Sequence, residues 1–148
     1  MSPGHSILEP LSLVRVRPPI ERGPASALEG LLKLNHLDLQ STDVQALAAF
    51  FVDHFDLQRR SNDRSPAIAI LGDEAGFTLV IQRDAAPVYP EYFHVGFIHD
   101  GVEPVRAHRD RLLAAGLAVG DVSTDNRGTR FYLKAPGDLL VEVSTPAR

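Results

Sequence analysis

Glu142 is a carboxylate in a strand that is otherwise largely apolar. A β-hairpin reads from Gly128 to Ser144, with Thr129–Leu133 and Leu139–Ser144 joined by a tight turn over Ala135–Asp138. Alternation puts Leu139, Val141 and Val143 on one side and Leu140, Glu142 and Ser144 on the other. A carboxylate there must be paired, solvated or bound, because leaving it buried and alone is too costly. Two histidines in strand-like runs could meet it: His36 in Asn35–Leu39 and His94 in Phe93–Phe97. Two imidazoles and one carboxylate from three strands suit a divalent cation with open coordination positions. Either histidine alone could equally be a hydrogen-bonded strand residue, and Glu142 could instead pair with Arg130. Arg130 and Tyr132 could bind an anionic or phenolic group, while Tyr92 could wall a pocket or act as an acid or base. His5, His54, His99 and His108 read as solvated surface residues, and Asp125–Gly128 reads as a turn rather than a site.

Periodicity supplies the elements that must position these groups. Leu34–Leu39 alternates as a strand, with Asn35, Leu37 and Leu39 on one face and His36, Asp38 and Gln40 on the other. Ser41-Thr-Asp43 is a helix start, and Val44, Leu47, Ala48, Phe51 and Phe55 then recur at helical spacing over about three turns. Strands over Ala67–Leu71 and Phe77–Gln82 follow, joined by a turn at 72–76, with Thr78, Val80 and Gln82 sharing a face. After a Pro-containing linker, Asp84–Pro90, the order repeats. A strand spans Tyr92–Ile98, and a helix opens at Glu103-Pro104, carries Val105, Leu112 and Leu113, and ends at Gly116. The hairpin closes the unit. His36 and His94 thus occupy equivalent places in an internal repeat of β-α-β-β-β type, with modules over about 31–83 and 91–146. Residues 1–30 are rich in Pro, Gly, Ser and Arg and read as an extension or arm, with one short apolar run at Ile7–Val16.

If each helix covers its own sheet, the apolar strand faces lie beneath the helices. The opposite face then collects His36, Asp38, Gln82, Tyr92, His94, Arg130, Tyr132 and Glu142. Composition narrows the partners. The 148 residues are 44% hydrophobic and 23% charged, as in an ordinary globular domain, and carry a net charge of −4 without a basic cluster. Nucleic acid and anionic membrane are therefore poor partners. The absence of cysteine removes disulfides, thiolate ligands and a Cys nucleophile. No apolar run approaches the roughly 18–20 residues of a membrane span, so a soluble, cytoplasmic domain is expected.

The doubled unit, the histidine in the first strand of each copy, and the closing Phe131-Tyr-Leu-Lys-Ala-Pro-Gly-Asp-Leu-Leu-Val-Glu-Val143 resemble the vicinal oxygen chelate superfamily. That superfamily includes glyoxalase I, bleomycin-resistance proteins, extradiol dioxygenases and fosfomycin-resistance enzymes. The resemblance covers about Leu31–Ser144. It implies an α+β fold of two tandem βαβββ modules whose mixed sheet curls around a central cavity, helices outside. It also implies a divalent metal (Fe, Mn, Ni or Zn) on His36, His94 and Glu142, with Gln82 as a weak fourth ligand where four-ligand members carry another. Val80 and Gln82 leave no acid at that point, which departs from a standard glyoxalase I. Tyr92, Arg130 and Tyr132 would line the pocket. The implied function is a metal-dependent enzyme acting on a small molecule through vicinal oxygens, as a lyase, isomerase, transferase or dioxygenase. The alternative is a metal-free drug- or metabolite-binding protein of bleomycin-resistance type. Small members are often homodimers, and modules can pair within or between chains.

Overall fold

The computed structural model describes Leu32–Ala147, so the N-terminal extension expected over residues 1–30, His5 included, lies outside the described residues. The first strand, β1 (His36–Ser41), ends at the cap of helix α1 (Val44–His54), where the Asp43 side chain accepts the Ala46 N–H at 3.0 Å. Three antiparallel strands complete the module: β2 (Gln58–Arg59), β3 (Ile68–Gly72) and β4 (Thr78–Arg83). The second module repeats the order with β5 (His94–Ile98), α2 (Val102–Ala114), β6 (Ser123–Asp125), β7 (Gly128–Lys134) and β8 (Leu140–Ser144). This is the expected tandem βαβββ arrangement. Its mixed strands form two four-stranded sheets, β1-β4-β3-β2 and β5-β8-β7-β6, and no strand pairing among the described residues closes them into a barrel. In each sheet the first strand runs parallel to the last, and the remaining pairs are antiparallel.

Alternation decides which face each helix covers. Leu39, Ala69, Leu71, Leu79 and Ile81 are buried beneath α1, together with Val44, Leu47, Ala48 and Phe51 of the helix. In the second module Phe131, Leu133, Val141 and Val143 are buried beside Val105 and Leu112 of α2. Burying such side chains in two contiguous layers is the main stabilising contribution. The modules share aromatic packing. Phe55 lies against Phe97 of β5 with ring centroids 4.6 Å apart, and Phe51 reaches the same ring at 5.9 Å. The opposite sheet faces, which carry His36, Asp38 and Gln82 in one module and His94 and Glu142 in the other, are open. No helix among the described residues is long and apolar enough to cross a membrane.

One strand start and one helix face differ from the sequence reading by more than a residue. The strand expected from Tyr92 begins at His94, because Pro90 heads a turn in which its carbonyl accepts the Phe93 N–H at 2.9 Å. Leu113, named with Val105 and Leu112 as an apolar residue of α2, is 42% exposed, and His108 is the residue buried beside those two.

Candidate functional site

The antiparallel pairing of β7 with β8 sets Tyr132 opposite Glu142, and the parallel pairing of β5 with β8 brings His94 to the same face. The Tyr132 hydroxyl donates to Glu142 Oε2. Burial first, and then the neighbouring carboxylate, push the phenol above its ordinary range, so Tyr132 stays a donor at neutral pH. His94 Nδ1 lies 3.0 Å from the Tyr92 carbonyl oxygen. A carbonyl only accepts, so Nδ1 carries a proton, and in the neutral ring the lone pair is on Nε2. His94 Nε2 stands 3.8 Å from Glu142 Oε2, too far for a hydrogen bond. Two ligands of one cation at about 2.1 Å each stand at such a separation when they subtend a wide angle. Tyr132 thus holds the carboxylate and the Tyr92 carbonyl holds the imidazole.

The first module presents a related half-site. His36 is exposed on β1, with Nδ1 2.9 Å from Asn35 Oδ1, which again leaves Nε2 outward. Gln82 donates from Nε2 to Asp38 Oδ2 at 2.6 Å on the same face. These groups do not join His94 and Glu142: among the described residues no three His, Asp or Glu side chains gather as a metal-holding group. One chain therefore presents the sequence-derived ligands as two separate sets.

The remaining candidates are placed as follows. Arg130 is buried and does not pair with Glu142, as the sequence allowed. Its guanidinium binds Asp125 through Nη1 at 2.9 Å and Nη2 at 2.5 Å. These bonds hold the Asp125 carboxyl well below the usual carboxylate range and Arg130 above its own. The Asp125–Gly128 turn thus anchors a cation beside Tyr132. Tyr92 is 82% exposed and outside the strand, and it serves the site through its backbone. His99 and His108, expected on the surface, form a hydrogen-bonded pair at 2.9 Å, and His108 is buried. The spacing Val105, His108, Leu112 was the signal for that burial. Between the modules lies a cavity of about 690 Å³ bordered by Leu37, Phe55, Leu79, Phe97, His99 and His108, with His94 at its edge.

Comparison with known proteins follows the same lines. Residues 33–143 match the model of the Glyoxalase/Bleomycin resistance protein/Dioxygenase superfamily. The chain is similar to the structure of a possible glyoxalase from Bacillus cereus, at 32% identity and a TM-score of 0.70 over 77% of this chain and 99% of that one. It shares its fold with lactoylglutathione lyase from Agrobacterium tumefaciens, at 18% identity and a TM-score of 0.66 over 79% and 96% of the two chains. The same holds for a mutant of the fosfomycin resistance protein FosX from Listeria monocytogenes, complexed with Mn(II) and 1S,2S-dihydroxypropylphosphonic acid. There the identity is 18% and the TM-score 0.66, over 79% and 94% of the chains. Among curated proteins none matches this sequence.

Proposed function

This chain belongs to the Glyoxalase/Bleomycin resistance protein/Dioxygenase superfamily, and on that premise we propose a divalent-metal-dependent enzyme acting on a small molecule through neighbouring oxygen atoms. The observation that carries the reading is the His94 Nε2–Glu142 Oε2 pair, 3.8 Å apart, with the imidazole proton fixed on the far nitrogen. His36 completes the set. Since one chain holds it apart from the other two, a second copy of the chain supplies it, in a homodimer whose open sheet faces meet. The lability of a Lewis-acid site to substrate oxygens is the chemistry such a cation supplies when bound.

The chain's own residues then have separable tasks. Tyr132 orients the Glu142 carboxylate and keeps a proton beside the place where a substrate oxygen would gain charge. Arg130, clamped by Asp125, adds a fixed positive charge behind the phenol. Gln82, tied to Asp38, lines the facing wall and offers a neutral amide. With an amide at position 82, the carboxylate on that wall is Asp38, held by the Gln82 amide.

Elemental analysis of protein purified without an affinity tag or chelator tests the reading. About one divalent cation per chain is expected, lost in both His36→Ala and Glu142→Ala. No uptake of Mn, Fe, Ni or Zn by the wild type would overturn it in favour of metal-free sequestration of a drug or metabolite. Thermal stabilisation by such compounds would then be the positive sign.

A further inference from the structure

The cavity between the modules and the His94–Glu142 pair are separated by one bare position. Among the described strands β5 is outermost in its sheet, paired with β8 alone, so its other edge is free. Every residue of β5 borders the cavity of about 690 Å³, which thus runs along that edge. The parallel register sets Gly96 directly opposite Glu142, on the face that carries His94. A path from the carboxylate to the cavity therefore crosses β5 at Gly96, a step of about 4.8 Å between strands. Neither the backbone nor the described packing requires glycine there. Its φ lies outside the left-handed region, and among the described residues a Cβ would meet no atom within 4 Å. Glycine weakens a strand interior, and it recurs where a ligand or another backbone approaches closely.

On the reading that His94 and Glu142 hold a cation for the substrate's vicinal oxygens, we propose that the cavity receives the rest of the substrate. That body is apolar and carries no negative charge, and Gly96 is the threshold over which it passes from the donor pair. Size and walls suit it. Cavities of roughly 300–1,000 Å³ hold drug-sized molecules. Phe55, Phe77 and Phe97, with Leu37, Leu57 and Leu79, supply aromatic and aliphatic walls. Charge then selects against an anion. Among the described residues Asp56 and Asp73 line the cavity, no Lys or Arg does, and neither acid enters an ion pair. Asp73 Oδ1 accepts the Phe77 N–H at 2.7 Å, which leaves its charge uncompensated. A neighbouring recess shares both acids and adds Glu74. His108, also on the wall, is held below the ordinary histidine range by burial, so it brings no positive charge at neutral pH. Arg130, the buried cation of the same sheet, is neutralised by Asp125. A carboxylate on the body would meet two like charges and no partner.

Hydroxamates, which chelate through two neighbouring oxygens, test this by titration calorimetry on the full chain loaded with Mn(II). Acetohydroxamate carries the chelating head alone, benzohydroxamate adds a ring, and 4-carboxybenzohydroxamate adds a negative charge to that ring. Benzohydroxamate should bind roughly 10-fold tighter than acetohydroxamate, as expected for a ring largely removed from water. The carboxylate should cancel most of that gain. Gly96→Val should keep its metal content and its affinity for acetohydroxamate, and lose the gain from the ring. Equal binding of the first two compounds by wild type, a full ring gain in Gly96→Val, or an equal gain from the carboxylated ring would overturn the proposal. So would a shift of Gly96→Val toward monomer in sedimentation, which assigns the bare position to a contact between copies. Should Gly96→Val not fold, Gly96→Ala and the charged ring decide. If wild type takes up no metal, the metal reading falls by itself and the cavity is decided on the metal-free chain. Thermal stabilisation by benzyl alcohol but not by benzoate, lost in Gly96→Val, upholds it, and no stabilisation overturns it.

Discussion

Tyr132 and Asp125 are the residues through which the second module controls its own electrostatics, and each can be removed with little change of shape. Tyr132→Phe deletes only the hydroxyl that donates to Glu142. Under the proposed metal site, losing such an outer hydrogen bond lowers affinity for Mn(II) or Zn(II) by roughly 10-fold. Competition with a chromophoric chelator measures it, and an unchanged constant would remove Tyr132 from the site. Asp125→Asn deprives the buried Arg130 of its two charge-assisted bonds. The sign with pH follows from the depressed carboxyl: its contribution is present above the ordinary carboxylate range and is lost as pH falls toward the lowered folded value. Wild type should therefore unfold at a higher temperature than Asp125→Asn at pH 7, and the gap should narrow below pH ~4. A gap that stays constant in acid would mean that the pair acts through packing alone.

Elements were easier to read than the contacts between them. Helix α1 announces itself by an apolar stripe from Val44 to Phe51 and a capping Asp43, and both are present. Asp43→Ala should cost about 1 kcal/mol in chemical denaturation. A loss below about 0.3 kcal/mol would assign the helix start to the Ser41 hydroxyl, which accepts the Asp43 N–H at 3.1 Å. The β6–β7 turn needs Gly128, at φ 109°, where a Cβ would lie 2.5 Å from Thr145 Oγ1 and 3.1 Å from its carbonyl oxygen. Gly128→Ala should thus destabilise by more than about 1 kcal/mol, a backbone strain that equilibrium unfolding would register. The open faces carrying His36, Asp38, Gln82, His94, Tyr132 and Glu142 followed from period-two alternation, because strand parity is a local property. Three things lay outside what period-two alternation reads. Arg130 chose Asp125 over Glu142 because the hairpin pairs Asp125 with Gly128 and folds its carboxylate back onto the guanidinium. Tyr92 fell outside its strand because the turn headed by Pro90 uses the residues before His94. His108 was hidden because α2 is rich in charge, so one buried imidazole on its inner stripe looks like another polar residue until the other module is in place.

At the scale of the whole molecule, the arrangement of modules turns a ligand list into a statement about assembly. His36 and the His94–Glu142 pair lie on open sheet faces of different modules, and no three such groups converge among the described residues. A site built across two copies makes a prediction that a site within one chain does not. His36→Ala and Glu142→Ala should each be empty alone. When the two variants are mixed under conditions that exchange subunits, each mixed dimer regains one intact site, formed by His36 of the Glu142→Ala copy with His94 and Glu142 of the His36→Ala copy. The second site of that dimer lacks both ligands. Random exchange makes half of the dimers mixed, so metal content should recover to about a quarter of the wild-type value. Analytical ultracentrifugation would follow the dimer, and metal analysis of the exchanged sample would count the sites. Recovery near zero despite exchange would place all three ligands in one chain, reached by a movement of the modules about the Phe55–Phe97 junction.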